Sequence, residues 1–593
     1  MEGLKYIFII SLLQTSIYAQ DPIIDTTTGK IKGSTISVQN VDLDVFLGIP
    51  FAKPPVGNLR FRRPEPIERW SGIKDTKQHV AACVQPENKK YDHLEGSEIW
   101  KIKTNISEDC LYLNIWAPTE SRKSRSNLTT MIWIYGGSFV SGSTTVELYN
   151  GKWIAASQNI IVASMNYRVG PFGFLSLNDE RAPGNMGLLD QNLAIKWIRD
   201  NIASFGGDPD KLTLFGQSAG AASVGFHVVS PLSRKLFRNA IMMSGSPSSP
   251  WAIKSIERNI HRAKAMASIV KCPINNTKAM IDCFLEADAN TLALAQFAYL
   301  DDFMKITFTP VVDHYFLPGK PSEILNDETV KKDVLTGFVE NEGSLFLLMA
   351  FPNEFPFNGT VPIGTDTAHA SIKKITRPIS LNPLQMDVIT YLYGSRVFSF
   401  PETEKYRYIL EQVGGDTSFK CPAIKLAEQF STHSNVYMYS FEFQSRLNPW
   451  PKWLGVMHGY DVIFAFGLPL FGNKFTEEDK LVAERLTSFF ANFSKSGNPS
   501  NGDCSDCSSD PWPKFTPKTP KYIVIDGKAK PETKKNYMKN ICGFWGDVLP
   551  ELNTSFCPVL TSGSQNIWTF QRRILTSFTS LSFSLILLGN FLF

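Results

Sequence analysis

The sequence predicts an α/β fold with a large, mostly parallel central sheet flanked by helices. Apolar runs typical of buried strands alternate with segments of helical periodicity, which favours a sheet covered on both faces. The strand candidates are residues 131–134, 160–163, 240–243 and 335–339, and residues 188–202 have helical periodicity. In such sheets the functional site lies at the carboxyl ends of the strands.

Length and composition indicate one large globular domain rather than a chain of small ones. The 593 residues are 43% hydrophobic and 20% charged, and neither a linker-like stretch nor a solenoid repeat interrupts residues 20–548. The formal net charge is +4 and the basic residues are scattered, which gives no argument for a nucleic-acid partner. We therefore expect one domain over residues 20–550.

The most informative motif is the G-x-S-x-G pattern around Ser218. An apolar strand candidate at residues 211–215 precedes it and a run of small residues follows it, as around a serine nucleophile on a sharp turn. The flanking glycines let two backbones pass closely while the hydroxyl stays exposed. Because the bare pattern also occurs by chance, it needs an acid and then a histidine downstream.

Glu342 and His458 supply those two groups in the required order. A serine hydroxyl needs a base to take its proton, and a histidine base needs a carboxylate to orient its ring. Glu342 follows the strand candidate at residues 335–339, and His458 lies in a glycine-rich loop at residues 455–461. A lone histidine is more often structural, but the order Ser, Glu, His favours a catalytic triad.

The segment 133–139 is the candidate oxyanion hole. It ends a strand with paired glycines, and its backbone N–H groups, with that of Ala219, are suited to the negative oxygen of a tetrahedral intermediate. A simple glycine-rich turn is the alternative. We predict neither a cofactor nor a metal for this chemistry.

Further spaced segments match a known family: residues 46–51, 108–114, 166–169, 184–191 and 206–209. On these segments and the motifs above, the chain resembles the cholinesterases of the type-B carboxylesterase family, over about residues 20–550. The resemblance implies the α/β-hydrolase fold with its active site in a gorge. It also implies the triad roles of Ser218, Glu342 and His458. It places Gly136, Gly137, Ser138 and Ala219 in the oxyanion hole.

The resemblance also assigns most of the cysteines. Of nine cysteines it pairs six, as Cys83–Cys110, Cys272–Cys283 and Cys421–Cys542. Cys504 and Cys507 lie in a polar insertion, where a local disulfide is expected; a zinc site is the alternative, but no second ligand pair is nearby. Cys557 lies near the C-terminus, where family members often form an intersubunit disulfide, which implies a homodimer.

The resemblance makes Trp100 the platform for a quaternary ammonium, which binds an aromatic face by cation–π attraction. A buried core tryptophan is the alternative. Trp251 and Phe346 are expected to line the acyl pocket, and Tyr460 lies beside the base.

Departures from the family pattern predict a broader ester specificity. Gln217 replaces the usual glutamate, and Asn88 stands where an acidic residue is expected at the gorge rim, so attraction for a cation should be weaker. Met304 and Ile306 replace two phenylalanines of acetyl-selective enzymes.

Three more departures concern the walls of the site. Leu345 and Val140 replace aromatic residues of the gorge. Ser138 replaces the third oxyanion glycine; its N–H can still donate, whereas its side chain reduces the space for bulky inhibitors.

Both ends of the sequence carry processing signals. Residues 1–19 read as a signal peptide, with an apolar run at residues 6–13 and cleavage near Ala19. At the other end an apolar tail, residues 574–593, follows a more polar stretch and the small residues Ser562 and Gly563, which favours a GPI anchor over a transmembrane helix. Residues 551–564 would then lead to the anchor site, and residues 565–593 would be removed.

An exported chain makes six N-x-S/T sequons candidate glycan sites: Asn105, Asn127, Asn275, Asn358, Asn492 and Asn553. The expected protein is an extracellular, membrane-anchored serine hydrolase of choline esters that works through an acyl-enzyme. A broad carboxylesterase for neutral esters is the first alternative. A non-catalytic adhesion protein on the same fold is the second, and it is less favoured because all three triad residues are present.

Overall fold

The computed structural model describes residues 21–86, 95–299, 303–359, 361–379, 381–397, 400–502, 511–535 and 538–552. The described residues up to Cys542 form one compact unit, and those from Gly543 belong to a second. Some sequence predictions lie outside the described residues: the signal peptide, Asn88, Cys504, Cys507, Asn553, Cys557, Ser562, Gly563 and the apolar tail.

The strands of the described residues are numbered β1 to β18 in chain order: Ile23–Thr26, Gly29–Lys32, Ser34–Val38, Val41–Pro50, Ile73–Asp75, Ala82–Cys83, Ile106–Ser107, Tyr112–Pro118, Leu128–Ile134, Ile161–Met165, Ser176–Asp179, Ala182–Pro183, Gly207–Gln217, Asn239–Met243, Asp333–Val339, Val436–Phe441, Lys521–Ile525 and Glu532–Lys535.

The α-helices of the same residues are α1 to α18: Thr119–Ser124, Lys152–Gln158, Gly170–Phe174, Met186–Asn201, Ala219–Val229, Ile256–Ile269, Thr277–Glu286, Ala289–Ala295, Pro321–Ile324, Ser344–Ala350, Thr365–Ile375, Pro383–Gly394, Glu402–Gly415, Cys421–Phe430, Val462–Ala465, Glu477–Ser496, Lys539–Gly543 and Leu549–Glu551. Two segments are π-helical, Asp416–Lys420 and Phe544–Val548. No helix within the described ranges combines the length and the hydropathy needed to cross a bilayer.

An eleven-stranded sheet organises the first unit, in the order β18-β17-β16-β15-β14-β13-β9-β10-β8-β4-β3. Neighbouring strands from β17 to β10 are parallel, and antiparallel pairs add strands at both edges. Strands such as β10 and β14 are buried along their whole length, which explains their continuous apolar sequence. The predicted fold class is confirmed, and the predicted strands and helix correspond to β9, β10, β14, β15 and α4.

The strand order contains a topological switch point near the centre of the sheet. Strand β9 lies between β10 and β13, so β10 is added on one side of β9 and β13 on the other. A buried ion pair fixes the segment after β10: Arg168 Nη2 lies 2.7 Å from Asp190 Oδ1. The candidate oxyanion loop and the nucleophile motif therefore meet at the carboxyl ends of adjacent strands.

The structure forms the three implied disulfides and argues against one glycan site. Cys83 pairs with Cys110, Cys272 with Cys283, and Cys421 with Cys542. Four described sequon asparagines are exposed: Asn105, Asn127, Asn275 and Asn358. Asn492 is only 5% exposed within α16. This burial in the folded protein disfavours the expected glycan on Asn492, which stays a prediction.

Candidate active site

Ser218 lies on a strained turn between β13 and α5. Its backbone has φ 59° and ψ −123°, in the region that favours glycine, and Ala219 begins the helix. The glycines of the motif allow this turn. A Cβ on Gly220 would lie 2.0 Å from the carbonyl oxygen of Ile134, and one on Gly216 would lie 2.6 Å from the Gly220 carbonyl carbon. Larger residues would push the nucleophile away from β9.

Glu342 and His458, the predicted acid and base, are in direct contact. Glu342 Oε2 lies 2.5 Å from His458 Nδ1, and the Val339 N–H donates to the other carboxylate oxygen at 3.0 Å. Glu342 is fully buried and His458 is 7% exposed. The carboxylate therefore fixes both the ring orientation and the proton on Nδ1.

The loops that carry Glu342 and His458 are joined by two hydrogen bonds between Asn341 and Val456. The Asn341 N–H donates to the Val456 carbonyl at 3.0 Å, and the Val456 N–H donates back to Asn341 Oδ1 at 3.0 Å. Gly455 turns the second loop at φ +58°, and a Cβ there would lie 2.2 Å from Asn341 Oδ1. These contacts hold the acid–base distance independently of the two side chains.

Gln217 contacts the base directly, which sequence reasoning did not anticipate. Its Nε2 lies 3.1 Å from His458 Nε2, and both side chains are buried. Among the described residues this is the one hydrogen bond recorded for His458 Nε2, and none joins that nitrogen to Ser218 Oγ. Catalytic hydrogen bonds of this kind often tighten only when substrate is bound.

The loop after β9 brings the predicted oxyanion residues beside the nucleophile. A Cβ on Gly136 would lie 2.9 Å from Ser218 Cβ, so the two backbones are in close contact. Gly137 has φ +117° and Ser138 has φ +57°, and the Val140 N–H closes the turn on the Gly137 carbonyl at 2.9 Å. The predicted oxyanion loop therefore lies in close contact with the turn that carries Ser218.

Aromatic side chains line the site around the base. Trp251 lies 5.7 Å from Phe419 between ring centroids, and Phe346 stacks on Phe419 at 5.3 Å. Phe419 also lies 4.4 Å from the His458 ring. Phe419 was missed from the sequence, because it belongs to the π-helical segment Asp416–Lys420, whose sequence carries no functional signature.

The other predicted substrate residues lie at varying distances from this centre. Trp100 lies against Gly459, since a Cβ there would be 3.3 Å from Trp100 Cη2. Met304 and Ile306 are buried after Phe303, whose ring lies 5.9 Å from Phe346. Leu345 and Tyr460 pack against the cluster of Leu348, Leu454 and Met457. Tyr460 OH accepts from the Ser445 N–H at 3.2 Å, which favours a structural role.

A second buried carboxylate, Asp461, lies behind the acid–base pair. The Tyr439 hydroxyl donates to its Oδ2 at 2.9 Å, whereas Oδ1 has no hydrogen-bond partner among the described residues. Burial above all, and then the negative charge of Glu342, raise the pKa of Asp461 to about 7. The carboxyl group of Asp461 is therefore expected to titrate near neutral pH.

Comparisons with known proteins agree with this arrangement. A family model described as the carboxylesterase family matches residues 20–545. An acetylcholinesterase of Bungarus fasciatus is 36% identical over 535 residues, which cover 89% of this chain and 86% of that protein. A cholinesterase of Mus musculus is 38% identical, with 90% and 88% covered. An acetylcholinesterase of Electrophorus electricus is 35% identical, with 92% and 91% covered. Given the family match over nearly its whole length, the chain belongs to the carboxylesterase family.

Proposed function

We propose that this chain is a serine hydrolase that cleaves choline esters, acetylcholine and larger acylcholines, through an acyl-enzyme intermediate. The observation that carries the proposal is the position of Trp100 against Gly459, the residue next to the base. An aromatic face there suits a quaternary ammonium whose ester carbonyl reaches Ser218. The similarity to proteins named acetylcholinesterase and cholinesterase supports the same substrate class.

The chemistry follows from the roles proposed for Ser218, Glu342 and His458. Ser218 Oγ adds to the ester carbonyl carbon as its proton passes to His458 Nε2, and Glu342 stabilises the resulting imidazolium. His458 then returns the proton to the choline oxygen, which leaves as the alcohol. A water molecule repeats the sequence on the acyl-enzyme and releases the carboxylic acid.

The oxyanion of each tetrahedral intermediate is assigned to backbone donors. The N–H groups of Gly136, Gly137 and Ser138 are on the loop against Ser218, and the Ala219 N–H begins α5 beside it. Donors of this kind typically contribute about 3 kcal/mol each to the transition state. The chemistry of the described side chains requires no cofactor.

The acyl group is expected to bind in a pocket formed by Trp251, Phe346 and Phe419. The flexible side chain of Met304 and the aliphatic side chain of Ile306 complete its wall. Flexible or aliphatic side chains occupy less space than the phenylalanines of acetyl-selective relatives and can repack around a longer chain. We therefore expect butyryl and acetyl esters of thiocholine to be hydrolysed with kcat/KM values within about ten-fold of each other.

Trp100→Ala tests the choline site. Loss of about 2 kcal/mol of cation–π attraction should lower kcat/KM for acetylthiocholine about 30-fold, while a neutral acetyl thioester changes less than about three-fold. Steady-state kinetics with the two substrates give the comparison. Trp70→Ala is the matched control, because Trp70 packs on Gly29 in the small sheet of β1, β2 and β5 and should affect neither substrate.

Two outcomes would redirect the assignment. An equal loss on both substrates in Trp100→Ala would favour the broad carboxylesterase, which the neutral amide of Gln217 also suits. Absence of any ester hydrolysis by the wild-type protein would favour the adhesion protein.

The location and assembly of the protein are part of the same proposal. We propose that the chain is exported, that a GPI anchor attached at Ser562 or Gly563 holds it on the outer cell surface, and that Cys557 links two copies. The sequence of the C-terminal segment and the exposed sequons support extracellular exposure.

A further inference from the structure

The donor and acceptor roles at His458 follow from its carboxylate partner. Glu342 Oε2 lies 2.5 Å from Nδ1, and an ionised carboxylate can only accept, so Nδ1 carries the proton. In the neutral imidazole, Nε2 then presents a lone pair. Gln217 Nε2 lies 3.1 Å from that nitrogen, so its amide must donate an N–H to the lone pair.

The same lone pair is the one that Ser218 needs. Before Oγ can attack, its proton must have an acceptor, and the His458 Nε2 lone pair is that acceptor. One nitrogen lone pair makes one well-directed hydrogen bond, so the amide and the hydroxyl compete for it. In the structure the amide occupies it.

The backbone encloses the Gln217 amide from two sides. A Cβ on Gly136 would lie 3.0 Å from Gln217 Oε1, and one on Gly459 would lie 3.5 Å from Gln217 Nε2. The side chain is 4% exposed. The amide therefore sits between the oxyanion loop and the base, where its orientation affects both.

We propose that Gln217 is a positioning residue that holds the base of the free enzyme in its neutral, Nδ1-protonated form and must release Nε2 for catalysis. As the Ser218 O–H bond breaks and the Oγ–carbon bond forms, the proton goes to Nε2 and the amide N–H contact is lost. The proposal rests on the proposed function only through the triad chemistry. It does not depend on which ester is the substrate.

The other groups around His458 are the same in the wild type and in every variant at position 217. Phe346 and Phe419 lie against the ring and carry no charge. Glu342 is the carboxylate in contact, and its charge helps to raise the pKa of the neighbouring Asp461. Glu411 accepts the Gly343 N–H at 3.3 Å next to Glu342. All of them are present in every variant, so they cancel from a comparison between variants.

The pH profile of kcat/KM for a neutral acetyl thioester tests the proposal, because a neutral substrate does not respond to added charge. Gln217→Met removes the donor, worth about 0.5–1.5 kcal/mol to the neutral base, so the acid limb should move up by roughly 0.4–1 pH unit. Gln217→Glu supplies an acceptor and a negative charge, and should move the limb further, by about 1–3 units.

Gln191→Met is the matched control. Gln191 Oε1 lies 2.9 Å from Nε2 of the buried His227, away from the triad, so the variant removes a glutamine–histidine contact without touching the base. Its acid limb should stay at the wild-type position. An unmoved limb in Gln217→Met, or a lowered plateau with no limb shift, would overturn the proposal.

The same experiments distinguish a failure of the proposed function from a failure of the proposal for Gln217. If neutral thioesters are hydrolysed and choline esters are not, the choline assignment fails while the pH profiles still decide the role of Gln217. If no ester is hydrolysed, NMR titration of His458 in the same proteins decides it. The midpoints should rise in the order wild type, Gln217→Met, Gln217→Glu, and any other order contradicts the proposal.

Discussion

Asp461 shows how a single buried side chain near the site affects stability. Because its folded pKa of about 7 lies above the ordinary 3.8, the folded protein binds more protons than the unfolded chain between those two values. The contribution of Asp461 to the free energy of unfolding is therefore most favourable below pH 4, and it becomes less favourable as the pH rises to 7. The whole difference is of order 4 kcal/mol.

Asp461→Asn should consequently stabilise the protein at pH 8 by up to about 4 kcal/mol and leave it nearly unchanged at pH 4. The asparagine keeps an oxygen that can accept from the Tyr439 hydroxyl, so that hydrogen bond is retained. Thermal unfolding at the two pH values measures the difference. A change of the same size at both would show that Asp461 does not titrate in this range.

At the level of elements, the π-helical segment Asp416–Lys420 packs against the candidate site. Its Phe419 packs on the base, and the Lys420 ammonium is buried 3.7 Å from Asp416 Oδ1. Burial raises the pKa of both Asp416 and Glu411, and the charge of Lys420 opposes that rise. Glu411 in turn accepts the N–H of Gly343, so the network reaches the acid loop.

Lys420→Met should cost about 3–5 kcal/mol, because it leaves buried carboxylates without their cation. It should also lower kcat, since Phe419 and the acid loop lose their support. Tyr393→Phe is the milder comparison: it removes only the hydroxyl that donates to Asp416 Oδ2 at 2.8 Å, for about 2 kcal/mol, and should leave kcat close to wild type. Thermal unfolding and steady-state kinetics measure both. Equal effects in the two variants would contradict the role of the lysine.

The same elements show what a sequence can and cannot predict here. Ser218, Glu342 and His458 each follow a strand or lie in a glycine-rich loop, so local pattern and chain order suffice to nominate them as a triad. The sequence singles out Gln217 for its missing charge, but its contact with His458 depends on two loops that meet at one edge of the sheet. The position of the Phe419 ring depends on a π-helical turn stabilised by buried charges, and sequence periodicity does not predict such a turn.

At the scale of the molecule, the sheet and its apolar strands were predictable, because parallel strands buried on both faces need continuous apolar sequence. The burial of Asn492 was not predictable, because the sequon has the same sequence whether it lies on the buried or the exposed face of α16. That helix contacts strands β9, β13 and β14, so burial on its inward face disfavours a glycan there. Four described sequons that are exposed fit an extracellular chain.

The proposed anchor and dimer make the last prediction, which concerns the full-length chain on cells. Phosphatidylinositol-specific phospholipase C should release the protein into the medium, because it cleaves the lipid of a GPI anchor and leaves a transmembrane helix untouched. On non-reducing gels the released wild-type protein should migrate as a dimer. Cys557→Ser should be released equally well but migrate as a monomer, since Cys557 is assigned to the intersubunit disulfide. Retention on the cell after enzyme treatment would favour the transmembrane tail, and a dimer that survives Cys557→Ser on the gel would exclude the proposed disulfide.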